Sequence, residues 1–573
     1  MAFKKPAPTS TIDPVALATG PMFGSMDNLG RIRTSKHQNI YEADFEYGAQ
    51  PMRWENYIVS PGSNSSVTHL PGQGGVRMRL STGATDVVIR QSRPYHRYQP
   101  GKTMVMSTAV NFGTAQTNQR QRVGFFDDGN GMFLEQGDPV ATATTFTTTG
   151  NLTSGNNILS GLSSTATLYY GTPVTGPGID PTVAVTVTQV INSTAVVISS
   201  PAFSAQTGSN YSFSVGANPY GMFCVVRSDV QSPRASVLGV NSGTPSDLRI
   251  PLPNWNGDKS TINSLDWSRI QMVWMEYTWY GAGMTRWGIV INGEWIVFNY
   301  VGFGNLGPAN IGGLPSQSVP WSRTGNLPVR YEQRNVGVTA ATNDMFHWGV
   351  SVIVEGGQDD QRGFTYSYGM SPAVPRRTVA SSNTRYPILS IASRPMGVVE
   401  LSGNSTYNAA NASSNTTAIL YTTANTSFDT GGIHGSANTN NLVGRHIHFP
   451  NQGSRGLTAR VTGSNSTVIA FGDTVTGAAI ANTASMTGTP YQIGLINRGQ
   501  LLPQTLVITA DNLCTIELIT STATSPVALT SPVWATLANT ASTNTYVGTL
   551  TQANVGILQA GLGSTYSFAQ RDV

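Results

Sequence analysis

The clearest hydrophobic pattern in the chain runs from Trp267 to Phe303. Three runs rich in aromatic and β-branched residues, 267–280, 284–291 and 294–301, are separated by Gly281-Ala282-Gly283 and by Asn292-Gly293. Strand formers punctuated by such breaks predict an antiparallel meander. Asn-Gly is the favoured two-residue hairpin turn, because both positions tolerate positive φ. It would set Ile291 opposite Glu294, Ile289 opposite Ile296, and Trp287 opposite Phe298. Trp287, Ile289, Ile296 and Phe298 then share one face, fit for a core. The first run is apolar on both faces, with Ile270, Met272 and Trp274 on one and Val273, Met275, Tyr277 and Trp279 on the other. A strand covered on both sides predicts the interior of a sandwich.

The same grammar recurs on either side. Strands are predicted at 75–80, 84–91 and 103–112, at 221–227, 327–332 and 344–354, and again at 386–392 and 506–509. Gln121 to Gln136 reads as a hairpin around Asp127-Asp128-Gly129-Asn130-Gly131, the densest turn chemistry in the chain. Asp127, Asp128 and Asn130 could hold calcium, but a helix-loop-helix calcium site needs more oxygen ligands and a following helix, so the plain hairpin is preferred. Near Val140 the composition turns to Thr, Ser, Gly and Asn, and the richer style resumes at Gly221. Residues 141–215 are therefore expected to be a small β module inserted into a domain made of 26–140 and 216–357. A linker is expected at 358–385, then a C-terminal β domain of 386–401 and 491–573 interrupted by a second inserted module at 402–490. Segments 185–198 and 457–470 echo each other as strand, Asn-Ser-Thr turn, strand. The fold class is all-β: a jelly-roll sandwich with inserted small β modules and a second, C-terminal β-sandwich.

Composition sharpens this picture. Charged residues make up 11% of the chain, against about 25% in typical domains. Hydrophobic residues at 39% and aromatics at 9% separate it from disordered chains. The net charge is +4 with the basic residues scattered, which argues against a nucleic-acid or membrane-surface partner. Cys224 and Cys514 each lie at an apolar run and are expected as buried free thiols. Residues 1–25 lack periodicity and a secretory apolar core, and are expected to be a docking arm. No run of 18 apolar residues occurs. These features predict a chain made in the cytoplasm that stays soluble or leaves by a route other than secretion.

Candidate chemistry is sparse. The sequence has no Gly-X-Ser-X-Gly elbow, phosphate loop, Cys-X-X-Cys or His-Glu-X-X-His, and no cofactor is expected. The acidic residues could still meet in space as a glycosidase pair. His446 and His448 would point to one face of a strand. In a homotrimer three such pairs could offer six nitrogens to a metal, but two surface histidines are the simpler expectation. His347, between Phe346 and Trp348, is expected in the core or hydrogen-bonded. Trp279 and Tyr280, at the Gly-Ala-Gly turn, are the candidate glycan-stacking pair.

Several segments resemble a known family. Asn28-Leu-Gly-Arg-Ile-Arg-Thr-Ser35 resembles the opening of a family of tailed-bacteriophage virion structural proteins. So do Arg90-Gln-Ser-Arg-Pro-Tyr-His-Arg-Tyr-Gln-Pro-Gly-Lys102, the 122–136 hairpin and Leu327-Pro-Val-Arg-Tyr-Glu332. The likeness covers roughly 26–136 and 221–400. It implies a concanavalin- or laminin-G-like jelly roll carried on the virion as a tail-fibre, baseplate or related component, and it supplies no catalytic motif. The expectation is a non-enzymatic virion protein, a homo-oligomer (a trimer first) bound to other tail, baseplate or head proteins and touching host surface polysaccharide. A head or collar decoration without a receptor role is the alternative, and a glycan-cleaving tail enzyme the third.

Overall fold

The structure, a computed structural model, describes residues 37–59, 64–84, 86–228, 246–258, 265–303 and 320–356, Ile262, and a set of strands with a few flanking residues between 390 and 569. The expected arm at 1–25, the linker at 358–385 and Cys514 lie outside the described residues. The chain divides into two compact units, 1–359 and 360–573.

The first unit begins with β1 (His37–Ala43), β2 (Trp54–Val59), β3 (Ser66–Leu70), β4 (Gly75–Leu80), β5 (Val87–Ser92), β6 (Met104–Asn111), β7 (Gln119–Phe126) and β8 (Gly131–Gln136). Next come β9 (Thr144–Leu152), β10 (Ile158–Leu159), β11 (Val174–Thr175), β12 (Val187–Asn192), β13 (Ala195–Ile198) and β14 (Gln206–Val215). The chain then continues through β15 (Met222–Ser228), β16 (Ser246–Pro251), β17 (Gln271–Tyr277), β18 (Met284–Ile291), β19 (Glu294–Gly302), β20 (Val329–Asn335) and β21 (Asn343–Glu355).

Two large antiparallel sheets make the sandwich. One runs β19-β18-β17-β6-β21-β4-β3 with β1 also on β21, and the other runs β16-β15-β8-β7-β20-β5-β2. Their facing sides bury one continuous core, with Trp54, Trp267, Trp287 and Trp321 all essentially inaccessible to solvent. Cys224 lies in that core. His347 does too, its ring stacked on Tyr331 at 3.9 Å. Burial and the nearby Arg90 charge hold its imidazole well below the ordinary histidine range.

The meander forms, with two corrections. Asn292 adopts φ 53° and Gly293 φ 87°, and Ile291–Glu294 and Ile289–Ile296 pair as expected. Trp287, however, faces Asn299 rather than Phe298, because the register shifts between Trp287 and Gly288. The extra residue is a β-bulge that lets Phe298 and Asn299 both turn inward. Phe298 stacks on Trp255 at 4.4 Å, and Asn299 accepts the Asn256 N–H. The second correction concerns β17: Val273, Met275 and Tyr277 face the core, but Met272 and Ile270 are about half exposed. Each sheet of a two-layer sandwich has an outer side, and β17 shows its own there. Two residues on that side are buried: Glu276, paired with Arg286 at 2.6 Å, and Trp274, beside Trp295 and over Gly288, where a Cβ would overlap its ring.

Strands β9 to β14 form two three-stranded sheets, β11-β14-β9 and β10-β13-β12, around a small core of their own. Their two ends are joined where Val140 and Asn218 exchange backbone hydrogen bonds of 2.9 and 2.8 Å.

The second unit is also all-β. Its strands include β22 (Ser390–Ser393), β23 (Met396–Tyr407), β24 (Ala418–Tyr421), β25 (His446–Phe449), β26 (Leu457–Ser464), β27 (Val468–Thr476) and β28 (Thr489–Ile496). The last six close into a barrel, which leaves no free edge. The expected boundaries at 401/402 and 490/491 fall inside β23 and β28. Both echo segments form antiparallel hairpins, β12–β13 in a small open sheet and β26–β27 in the barrel wall.

Candidate functional site

One end of the sandwich gathers the ring-bearing turns. Tyr277 closes β17 opposite Met104 at the start of β6 and Thr285 near the start of β18. The next residues, Trp279 to Gly283, form a tight turn closed by the Gly283 N–H donating to the Trp279 carbonyl at 3.0 Å. Tyr280 and Gly281 both take positive φ, 39° and 77°. For glycine that conformation is free, whereas for tyrosine it is strained.

The segment 321–325 clamps this turn from beneath. Trp279 donates its indole N–H to the Ser322 carbonyl at 2.8 Å, and Tyr277 donates its hydroxyl to the Gly325 carbonyl at 2.6 Å. Trp321 donates its backbone N–H to the Gly281 carbonyl. Tyr98, nearly buried, meets the rings of Trp279 and Tyr280 edge-on at 6.2 and 6.3 Å. Trp279 is therefore fixed and half-buried, while Tyr280 presents its ring at 54% exposure. The two residues singled out in the sequence sit together. The sequence does not disclose Tyr98 beneath them or the 321–325 clamp, which is about forty residues away in the chain.

The β7–β8 turn joins the same rim as a plain hairpin. Asp127 accepts the Gly129 and Asn130 N–H groups at 2.9 and 2.8 Å. Asn130 accepts the Ser322 hydroxyl and the Arg323 N–H, and Asp128 pairs with Arg330 at 2.7 Å. All three oxygen-bearing side chains are engaged within the fold.

On the outer side of the second sheet lies a lattice of charges. Arg122 on β7 bridges two carboxylates, reaching Glu135 on β8 at 2.7 Å and Glu332 on β20 at 2.8 Å. Arg249 also reaches Glu135 at 2.7 Å, and Arg227 holds Asp247 through two bonds of 2.8 and 2.9 Å. Arg334 reaches Glu332 at 3.0 Å. Phe133 and Phe223 floor this side, with Arg122 and Arg249 over their rings at 5.2 and 4.0 Å. Burial alone would raise the Glu135 pKa. The fields of Arg249, Arg122 and Arg120 reverse that and bring it down to about 2. Glu332, equally buried, is also held well below the usual carboxylate range by Arg334, Arg330 and Arg122. These two acids share Arg122, and both are locked as anions. A general acid needs the opposite shift. The lattice was visible in the sequence as charges at every second strand position, in Arg120-Gln-Arg122 and Arg330-Tyr-Glu-Gln-Arg334.

His446 and His448 lie on β25 in the barrel of the second unit. Both are buried there, at 8% and 5% exposure, rather than on the surface. His448 Nδ1 is 2.9 Å from the Thr458 hydroxyl, its cross-strand neighbour. Among the described residues, no group of three or more His, Cys, Asp or Glu side chains is placed to hold a metal ion.

No family model and no curated protein matches the sequence. Solved structures similar to the chain include an endo-1,3-beta-glucanase from Streptomyces sioyaensis, at 9% identity and a TM-score of 0.27, covering 56% of this chain and 97% of the glucanase. The carbohydrate recognition domain of Emp46p follows at 8% identity and a TM-score of 0.20, with 55% and 97% covered. The binding domain of Botulinum neurotoxin DC, in complex with rat synaptotagmin II, matches at 8% identity and a TM-score of 0.22, with 90% and 94% covered. At these scores the likenesses carry nothing about activity.

Proposed function

We propose that this chain is a non-enzymatic structural and adhesive component of a tailed-bacteriophage virion, associated with a tail fibre or baseplate, which contacts host surface glycans through the Trp279–Tyr280 turn. The observation that carries the adhesive part is Tyr280. An aromatic ring held out at the rim, on a strained backbone clamped from below, is preorganised to stack on a sugar face. Backbone strain of this kind persists where surrounding structure enforces it, and it collects at binding sites.

The virion part rests on the resemblance in 28–35, 90–102, 122–136 and 327–332. Three of those segments supply β7, β8, β20 and the end of β5, and these strands lie side by side in the order β8-β7-β20-β5. The absence of chemistry in the proposal rests on Glu135 and Glu332, whose arginine partners deprive them of a transferable proton at neutral pH.

The test uses the full chain and purified host surface polysaccharide. Binding is measured by calorimetry for the wild type and for Tyr280→Ala, and the same mixtures are assayed for new reducing ends. Retained fold with roughly tenfold weaker binding and no new ends is the expected result, a loss of about 1.4 kcal/mol. Equal binding by both proteins would remove the turn from the reading, and new reducing ends would make the protein an enzyme. Gold-labelled antibody on intact particles decides the location: label over the head or neck would favour a decoration protein without a receptor role.

A further inference from the structure

Among the described residues, no strand pairs with the outer edge of β9 in the inserted module before Asn151, and the Ser163 N–H reaches the Thr148 hydroxyl at 3.0 Å. In the sheet β11-β14-β9, β9 is an outer strand. Near its end, Asn151 exchanges both backbone bonds with Ser160, at 2.7 and 3.1 Å, so its N–H and C=O point away from β14. Strand alternation then turns the N–H and C=O groups of Thr149, Thr147 and Thr145 to that same open side. All three residues are exposed. Their side chains lie on the face of the sheet, as shown by the Thr147 hydroxyl 3.3 Å from that of Ser212 on β14. One carbonyl, that of Thr149, also accepts the Thr148 hydroxyl at 3.2 Å, which leaves it a second lone pair.

Natural sheets block such edges with lysine, proline, a bulge or a covering segment. From Thr144 to Gly150 there is no charge and no proline, and the shift in the β9–β14 register falls beyond Gly150. The whole stretch 144–215 carries one charged residue, Asp180.

We propose that β9 is a self-pairing edge that joins two copies of this chain, antiparallel, about a two-fold axis at Thr147. Thr147 then faces Thr147 of the second copy, and Thr145 faces Thr149. Because the odd-numbered residues carry the outward groups, each of these pairs can exchange two hydrogen bonds. A two-fold contact demands a self-complementary surface, and Thr145-Phe-Thr-Thr-Thr149 reads nearly the same in both directions. Facing threonines are a favourable cross-strand pair, and an uncharged module brings no repulsion from its own copy. A contact this narrow lies below the roughly 1,000 Å² of a stable interface, so it populates where copies are already concentrated side by side.

The test measures the mass of the full chain by sedimentation equilibrium over a concentration series up to its solubility limit. Wild type, Thr147→Lys, Thr147→Glu and an equimolar mixture of the two variants are compared. The residue is exposed, so both variants should keep the wild-type circular dichroism and melting temperature. The expected result is a concentration-dependent doubling of mass in the wild type, loss of that doubling in each variant alone, and its return in the mixture, where lysine faces glutamate. A wild type that never doubles, a lysine variant that doubles as the wild type does, or a mixture that fails to recover would each overturn the proposal. The outcome is independent of glycan binding, which is measured at the other site.

Discussion

Left-handed backbone at a non-glycine residue costs about 1–3 kcal/mol, and Tyr280 is the one aromatic residue among the described positions that accepts it. Replacement by glycine separates the backbone from the ring. Tyr280→Gly is expected to leave stability unchanged or to raise it by about 1 kcal/mol, while weakening polysaccharide binding as much as Tyr280→Ala does. Urea midpoints and calorimetry on the same preparations check both halves, and a large fall in stability would make the ring a packing element instead. The buried charges predict an acid-labile fold. Glu135 is ionised down to about 2 in the fold but only to about 4.5 when unfolded. The unfolded chain therefore takes up this proton first, so the stabilisation is complete above about pH 4.5 and is lost as pH falls through about 2. His96 adds to the same limb: burial first, then the Arg53 charge, lowers its pKa from 6.5 to about 3. Its unfolded imidazole binds a proton from about pH 6.5 downward, and stability declines across that window. Glu135→Gln should cost about 3–5 kcal/mol at neutral pH, by removing the buried anion that Arg249, Arg122 and Arg120 share, and should flatten the slope between pH 4.5 and 2. Urea midpoints over that range are the measurement, and an unchanged slope would remove Glu135 from the account.

At the scale of elements, the meander shows what a sequence can and cannot disclose. Asn292-Gly293 announces its turn because no other common pair accepts two positive φ values so readily, and the pairing next to it follows directly. The bulge at Phe298 was not legible, since it answers to Trp255 and Asn256, residues about forty positions away that enter only when the sandwich closes. The charge lattice shows the same division. Its period of two is written in β7 and β20, but that Arg122 bridges Glu135 and Glu332 depends on β7 lying between β8 and β20. Gly288 tests the element directly. Gly288→Ala would drive a methyl into the Trp274 ring and is expected to destabilise by about 1–3 kcal/mol, with a change in tryptophan fluorescence. Asn292→Ala, at φ 53°, should cost about 1 kcal/mol with no change in fluorescence, because the turn is exposed. Equal effects of the two would mean that Trp274 does not lie over Gly288.

At the scale of the molecule, the first unit has a hierarchy that can be cut. The sandwich core and the core of strands β9 to β14 are separate clusters, and Val140 and Asn218 already pair where the chain leaves and returns. Among the described residues, ties of the inserted module to the sandwich include Tyr170 packed on the sandwich core, Tyr169 against Phe223 at 5.4 Å, Arg249 over the Tyr169 ring at 5.7 Å, and the Asn254 amide donating to the Tyr170 carbonyl at 2.7 Å. Loop-closure entropy changes slowly with length, so exchanging a folded insert for a short linker changes the sandwich little in itself. Replacing residues 144–215 with a short Gly-Ser linker is therefore expected to leave the sandwich folded, with stability lower by about 1–3 kcal/mol for the exposed Phe223 and the lost Asn254 bond. The shortened chain should keep its polysaccharide binding, since Tyr280 and its 321–325 clamp draw nothing from the module. It should also lose the concentration-dependent doubling in mass, because β9 is gone. Thermal melts, calorimetry and sedimentation on one preparation read all three. Failure to fold would show that the two cores are one cooperative unit, whereas loss of glycan binding with the sandwich intact would move the adhesive surface from the rim to the insert.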